Sequence, residues 1–277
     1  MEIKITTLSE NSANSGFLAE WGLSMVVEVE GLKVLFDTGS GHAALHNAQI
    51  LGVDLSTVDC IVLSHGHYDH TGGLREVLRR TGPKKVIGHP DIWQHRYARP
   101  SGQKERYVGI PFVREGLESL GASFTLSKES VKLSDSVMTI GEIPLTIDYE
   151  DIDPGLYFKE NGEERPDTFT DDLAMIVDTE FGLVVILGCA HRGIINTLRH
   201  ARKLTGKELI YAAIGGTHLF RASEERLAST AAALAEMGVQ RLGVSHCTGF
   251  AASAYLVSKL GEAFFLNNAG NRFTLPF

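Results

Sequence analysis

The stretch that most constrains this chain is LSHGHYDHTGGL, residues 63 to 74. It places His65, His67, Asp69 and His70 within six residues, between an apolar run and a pair of glycines. Imidazoles packed this closely repel one another once protonated, so their clustering is favourable chiefly around a shared ion. In extended backbone, side chains at positions i and i+2 point the same way, so His65 and His67 can hold one cation together. The cluster therefore predicts a metal site.

The ligand types in this cluster narrow the choice of metal. Imidazole with carboxylate suits zinc, manganese or ferrous iron, and the lack of a cysteine within the cluster argues against a structural zinc site. Asp69 and His70 follow as the chain turns into a predicted helix, so we expect them to face a neighbouring position. The alternative interpretation is a loop of solvated histidines in which Asp69 caps the helix.

Length and composition favour a globular enzyme or binding protein. The chain has 277 residues, of which 43% are hydrophobic, which is enough to bury a sizeable core. Its formal net charge of −8 argues against a nucleic-acid or membrane-surface partner. Cys60, Cys189 and Cys247 are too scattered for a disulfide framework, and no apolar run approaches the roughly 20 residues that cross a bilayer. Because the N-terminus also lacks an export pattern, we expect a cytoplasmic protein.

Hydrophobic periodicity predicts a mixed α/β chain. In the first third it predicts a meander of strands over MEIKITTL, LSMVVEVEG and LKVLFDTGSG, a helix over AALHNAQILGV, a strand over VDCIVLS and a helix over GGLREVLRRTG that Gly82 closes. In the last third it predicts strands over LAMIVDT, LVVILGC, LIYAAIGG and, as the last core strand, RLGVSHC. These alternate with helices over GIINTLRHARKL and SEERLASTAAALAEMG, the second capped by Ser223. This order predicts a sheet-on-sheet core with helices outside.

Between about 90 and 170 the periodicity weakens. We expect 1–277 to form a single domain in which this segment is an elaboration or lid, because neither part of it has a core of its own. Basic residues and aromatics concentrate between His95 and Arg114 in an otherwise acidic chain. Arginine can fork onto phosphate oxygens, so Arg96 and Arg106 are candidates for binding a flat, phosphorylated small molecule. The alternative is a solvated, charged loop.

Three motifs resemble those of the metallo-β-lactamase superfamily. HGHYDH followed by TGGL resembles its His-x-His-x-Asp-His signature. LFDTG, with Asp37, resembles its early motif, whose aspartate orients the metal ligands without binding the metal itself. GVSHCTG, with His246, resembles its late histidine. The resemblance covers most of the chain outside 90–170. It implies an α/β fold, the αββα four-layer sandwich, and two divalent cations, zinc first with manganese or iron as alternatives.

One departure from the superfamily concerns its bridging aspartate, which typically follows a glycine at a strand end. Here the corresponding strand ends in Gly188 and Cys189, with His191 two residues further on. We assign His191 as the remaining ligand. Cys189 competes with it, although a small buried apolar role is the simpler interpretation of this cysteine. Asp171 or Asp172 could also supply a carboxylate.

The resemblance then implies two ligand sets and a catalytic aspartate. One set is His65, His67 and His191, and the other is Asp69, His70 and His246. Asp69 would also orient the nucleophile or accept its proton.

A narrower resemblance lies in ILGCAHRGIINTL, IGGTHLF and SHCTG. These are similar to a pterin-condensing subgroup that includes 7,8-dihydropterin-6-methyl-4-(β-D-ribofuranosyl)aminobenzene 5′-phosphate synthase. The resemblance implies a pterin diphosphate and an aminobenzene ribose phosphate as substrates. His218, in the second motif, is a candidate for contacting substrate. A hydrolase and a transferase that displaces diphosphate would use the same ligands, so spacing leaves both open. A redox di-iron protein, which usually carries a glutamate at the position of Gly66, a nuclease and a non-catalytic metal-binding module are further alternatives.

Overall fold

The computed structural model describes residues 1–99, 102 and 104–275. The chain forms two compact units. Unit 1 comprises Met1–Lys128, Asp153–Asp171 and Asn268–Phe277, and unit 2 comprises Glu129–Ile152 and Asp172–Asn267. A single domain over 1–277 stays a prediction.

Unit 1 is built on a mixed sheet. Its strands are β1 (Ile3–Ser9), β2 (Ser24–Val29), β3 (Leu32–Phe36), β4 (Cys60–Val62), β5 (Lys84–Gly88), β8 (Ala122–Leu126) and β17 (Arg272–Leu275). They run in the order β17-β1-β2-β3-β4-β5-β8. Pairing is antiparallel from β17 to β3, which confirms the predicted meander, and parallel from β3 to β8.

The helices of unit 1 cover this sheet. They are α1 (Ala43–Leu51), α2 (Tyr68–Thr71), α3 (Leu74–Thr81) and α4 (Arg114–Glu118). Apolar side chains of α1, α3 and α4 share one buried cluster with those of β3 and β4. As predicted, Gly82 ends α3: its φ is 74°, and its N–H donates to the carbonyl of Leu78.

The predicted elaboration at 90–170 contributes to both units. In unit 1 it forms a small sheet, β11-β10-β6-β7. Its strands are β6 (Arg96–Ala98), β7 (Arg106–Tyr107), β10 (Leu156–Glu160) and β11 (Glu163–Pro166). The segment also supplies β8 to the large sheet and β9 (Val137–Thr139) to unit 2. A lid function stays a prediction, and residues 100, 101 and 103 of the segment lie outside the described residues.

Unit 2 is built on a second mixed sheet. Its sheet runs in the order β16-β15-β14-β13-β12-β9, parallel from β13 to β16. Its further strands are β12 (Ala174–Thr179), β13 (Gly182–Leu187), β14 (Ile210–Gly216), β15 (Arg241–Ser245) and β16 (Phe264–Leu266). Its helices are α5 (Ile194–Thr205), α6 (Glu224–Glu236) and α7 (Phe250–Leu260).

In the last third of the chain, one sequence prediction is wrong and another is confirmed. The expectation that RLGVSHC is the last core strand is wrong, because β16 and β17 follow β15. Ser223 caps α6 as predicted, and its side chain accepts the N–H of Arg226. In the part of the chain that the structure describes, none of the helices could span a membrane.

Parallel pairing gathers the predicted site residues at strand ends. In unit 1, Asp37 follows β3 and His65 follows the neighbouring strand β4 by two residues. In unit 2, His191, His218 and His246 follow β13, β14 and β15, which are neighbours in one sheet. The carboxyl ends of parallel strands meet at the same edge, which is where open α/β sheets bind ligands.

Helix α5 offers a matched test of how the unit 2 core is stabilised. Leu198 is fully buried in that core, whereas Leu204 on the same helix is 38% exposed. We expect Leu198→Ala to lower the free energy of unfolding by about 2–5 kcal/mol, because it leaves a cavity. Leu204→Ala should change it by only about 0.5 kcal/mol. Urea denaturation followed by circular dichroism measures both, and equal losses would contradict the placement of α5.

Candidate metal centre

A buried carboxylate organises the start of the histidine loop. Asp37 has a left-handed φ of 57°, a conformation that non-glycine residues adopt only at a cost. Its Oδ1 accepts the N–H of Ser64 at 2.7 Å, and its Oδ2 accepts the Ser64 hydroxyl at 2.7 Å. The same Oδ2 lies 2.7 Å from Nδ1 of His70. This is the contact that the resemblance implies for Asp37.

These hydrogen bonds fix the tautomers of two histidines. The Ser64 hydroxyl gives its proton to Asp37, so at 2.9 Å it accepts a proton from Nδ1 of His65. His70 donates from Nδ1 to Asp37, and all four residues are buried. A carboxylate or hydroxyl on Nδ1 orients an imidazole and raises its basicity as a ligand. His65 and His70 would therefore bind a metal through Nε2.

The remaining residues of the motif pack against this pair. The ring centroid of His65 lies 4.7 Å from that of His67 and 4.2 Å from that of His70. Asp69 is buried, and its Oδ2 accepts the indole N–H of Trp21 at 2.7 Å. Phe169 meets the His67 ring edge-on at 5.3 Å. Three imidazoles and a carboxylate are thus buried along one loop of unit 1, and these donor types suit a divalent cation.

A buried ion-pair group supports the loop from the other side. The N–H of Gly66 donates to Oδ2 of Asp171 at 2.8 Å. Arg96 donates to both oxygens of Asp171, at 2.7 and 2.6 Å, and to Asp167 at 2.6 Å. Burial alone would lower the pKa of Arg96, but these two carboxylates raise it above its ordinary value, so the guanidinium stays charged.

This arrangement bears on two predicted roles. The donors of Arg96 are engaged by carboxylates, so phosphate binding by Arg96 stays a prediction and would require those contacts to be exchanged. The Asp171 carboxylate binds Arg96 and Gly66 within unit 1. Sequence reasoning missed this group, because nothing in the spacing links Arg96 to an aspartate 75 positions later.

Arg106 is placed differently. It is exposed on β7, and its guanidinium lies near the side chain of Tyr68, the residue after His67. Burial raises the pKa of Tyr68, and the positive charge of Arg106 acts in the opposite direction. Two other arginines of the predicted basic segment, Arg99 and Arg114, pair with glutamates. Phosphate binding by Arg106 stays a prediction.

In unit 2, strained backbone marks the strand ends that carry the predicted residues. Ala190, His218 and His246 have left-handed φ angles of 51°, 48° and 54°. Strain of this kind costs free energy and concentrates at ligand-binding sites. His191 and His246 are buried, and the His191 ring centroid lies 4.1 Å from that of His218. Assignment of His191 and His246 to the ligand sets stays a prediction from the sequence.

Two buried acids shape the loop that carries His191. Asp172 accepts the N–H of Arg192 at 2.8 Å. Glu150 accepts the N–H groups of Ile195 and Asn196, at 2.8 and 2.7 Å, at the start of α5. A carboxylate there also interacts favourably with the helix dipole. Asp172 thus has a supporting role within unit 2, and its alternative role as a ligand stays a prediction.

Comparison with known proteins identifies relatives along nearly the whole chain. The family model of the metallo-beta-lactamase superfamily matches residues 22–195. The 7,8-dihydropterin-6-methyl-4-(beta-D-ribofuranosyl)-aminobenzene-5'-phosphate synthase of Methanocaldococcus jannaschii is 36% identical, over 97% of this chain and 95% of its own length. An uncharacterised protein of the same organism is 31% identical, over 95% of each chain. A metal-dependent hydrolase of the beta-lactamase superfamily, known from its crystal structure, has 30% sequence identity to this chain. Its structure superposes with a TM-score of 0.85, and the match covers 98% of each chain.

Gly66 provides a direct test of the loop geometry. A Cβ at Gly66 would lie 2.1 Å from the carbonyl oxygen of Ile92 and 2.6 Å from Nη1 of Arg96, so the loop would have to move. We expect Gly66→Ala to weaken zinc binding by about 10- to 100-fold, as does the loss of other groups that orient ligands. Competition with a chromophoric chelator measures the affinity.

The matched control for this variant is Gly41→Ala, because a Cβ at Gly41 meets no atom within 4 Å. We expect Gly41→Ala to bind zinc as the unmodified protein does. Unchanged zinc affinity in a folded Gly66→Ala variant would refute the proposed support of the loop.

Proposed function

The chain belongs to the metallo-β-lactamase superfamily, and on that basis we propose that it is a metal-dependent enzyme acting on a phosphorylated small molecule. The predicted α/β fold class is confirmed by the family match and by the solved structure that is similar over 98% of the chain. Within this class we favour a transferase that joins a dihydropterin diphosphate to an aminobenzene ribose phosphate. The observation that carries this choice is the 36% identity to the synthase over 97% of the chain.

The described residues support a division of labour in such a reaction. A bound divalent cation would supply Lewis acidity for a diphosphate leaving group or lower the pKa of a water molecule. His65 and His67 would bind the cation through imidazole nitrogens, and Asp37 and Ser64 keep the neighbouring rings in one tautomer. Phe169, packed against His67, limits the access of water to the histidines.

Substrate positioning falls to groups beside the histidine loop. Arg106 is exposed next to Tyr68 and carries the charge that a phosphate needs. Asp69 is a candidate to accept a proton from the attacking group, as the sequence predicts, while Trp21 holds its carboxylate.

A hydrolase is the second candidate. It is favoured by the 30% identity and TM-score of 0.85 to a solved metal-dependent hydrolase of the superfamily. In this case water takes the place of the aminobenzene partner. We propose zinc as the metal and two equivalents per chain for either reaction. A cytoplasmic location stays a prediction.

Assay of the purified, zinc-loaded chain with a dihydropterin diphosphate and an aminobenzene ribose phosphate tests the transferase. We expect a coupled product and one released diphosphate per coupling, both lost after chelation and restored by zinc. Elemental analysis of the active protein should give at least about two equivalents of metal, because a paired site clamps attacking and leaving groups together. Diphosphate release without coupling would support the hydrolase, and turnover unaffected by chelation would contradict both.

His67→Ala tests whether the histidine loop carries the activity. We expect turnover to fall by more than about 100-fold, since this change removes a ligand rather than a supporting group. The control is His46→Ala, which removes an exposed imidazole from α1. If both variants remain folded and equally active, the loop is not the active site.

Arg106→Gln tests substrate positioning separately. We expect KM for the phosphorylated substrate to rise about tenfold with kcat nearly kept, because uniform binding of a phosphate is lost while the metal ligands remain. Arg99→Gln is the control, since Arg99 already pairs with Glu105 and Glu164. A KM for Arg106→Gln equal to that of the unmodified enzyme would exclude a phosphate contact at this position.

A further inference from the structure

A cluster of soft donors lies in unit 2. Cys189, His218 and Cys247 each offer one ligand atom, and the three atoms lie within 4.8 Å of one another. The residues follow β13, β14 and β15, which are neighbours in the parallel sheet. The two cysteines are 58 positions apart in sequence and are both buried. We propose that this cluster is a binding site for a thiophilic divalent cation such as zinc or cadmium.

The separations suit such an ion. Zinc binds thiolate sulfur at about 2.3 Å and imidazole nitrogen at about 2.0–2.1 Å, usually in a tetrahedral arrangement. Tetrahedral angles then place ligand atoms roughly 3.5–3.8 Å apart. Donor atoms already within 4.8 Å of one another therefore need only small side-chain rotations to close on the ion.

The surroundings of Cys247 are built for a sulfur atom. The backbone N–H of His218 donates to Sγ of Cys247 at 3.2 Å, a contact that stabilises negative charge on the sulfur. Sγ of Cys247 lies 3.4 Å from the carbonyl oxygen of Cys189, to which its thiol can donate. A Cβ at Gly216 would lie 2.7 Å from this sulfur, so the glycine leaves the space that the thiol occupies.

The imidazole of His218 is presented by strained backbone. Its φ of 48° is left-handed, which a histidine adopts at a cost. The ring is half-buried, and one of its nitrogens lies close enough to the sulfur atoms of Cys189 and Cys247 to bind the same cation.

The donor set also predicts what kind of site this is. Two thiolates and one imidazole make three protein ligands, so a tetrahedral ion keeps its fourth position for water or another molecule. The site includes neither His65 nor His67, and its existence does not depend on the proposed reaction. It does use Cys189, which the sequence also offers as an alternative to His191.

Cadmium titration of the full chain tests the proposal, with the protein kept reduced by a phosphine and freed of metal beforehand. Cadmium thiolates give a charge-transfer absorption in the ultraviolet, which reports sulfur ligands directly. We expect this absorption in the unmodified protein and in His67→Ala. In Cys189→Ser and in Cys247→Ser we expect the absorption to fall by about half, because one of two sulfur ligands is lost. Cadmium affinity should drop more than tenfold, which is more than the loss of a group that only orients a ligand would cause.

Cys60→Ser is the matched control. Cys60 is a buried cysteine of β4, and burial raises its pKa to about 11, so it stays a thiol at neutral pH. This variant should titrate as the unmodified protein does. His218→Ala should keep the sulfur absorption and bind cadmium more weakly.

Three results would overturn the site. They are no charge-transfer absorption in the unmodified protein, absorption that survives Cys247→Ser unchanged, and absorption lost in a folded His67→Ala variant. X-ray absorption at the zinc edge of the unmodified protein gives an independent check that needs no variant. A zinc–sulfur distance near 2.3 Å is expected, and its absence contradicts the proposal.

Discussion

The carboxylate of Asp37 is the contact on which the histidine loop depends. Through Ser64 and His70 it ties the end of β3 to the loop that follows β4. A buried carboxylate is stable only when its oxygens are hydrogen-bonded, and here backbone, hydroxyl and imidazole donors all serve it. The same contacts set the tautomers of His65 and His70, so the folding of the loop and its capacity to bind metal have one physical cause.

Arg96 supports the loop from the small sheet in a comparable way. Its guanidinium is fully buried on β6 and is satisfied by Asp167 and Asp171, and Asp171 also accepts the N–H of Gly66. Breaking one partner of a buried pair leaves an uncompensated charge and costs about 3–5 kcal/mol. The segment 90–170, whose periodicity is weak, thus contributes residues that fix the position of His65 and His67. In unit 1 it supports the loop structurally, and that role holds whether or not it also closes over a substrate.

The sequence predicted the elements around the motif well, because their periodicity and caps are local. Gly82 ends α3 and Ser223 begins α6 where those residues indicated. The meander and the metallo-β-lactamase fold are likewise confirmed. The pairing of Asp37 with His70 follows from the resemblance alone, since the two residues are 33 positions apart.

What could not be predicted is non-local. The ion pair between Arg96 and Asp171 forms because the chain returns to β6 after residue 153. No pattern in either segment predicts this contact. The sequence therefore offered both Arg96 and Arg106 as phosphate-binding candidates, whereas the structure buries Arg96 among carboxylates and leaves Arg106 exposed. The contact of Cys247 with Cys189 has the same origin, because parallel strands bring distant residues to one sheet edge.

Anomalous diffraction at the zinc edge, from crystals of the zinc-loaded chain, tests whether the histidine loop binds metal. We predict an anomalous peak about 2.0–2.1 Å from Nε2 of His65, with Nδ1 of that ring still bonded to Ser64. Zinc that binds elsewhere, while His65 and His67 hold none in crystals grown with excess metal, would contradict it.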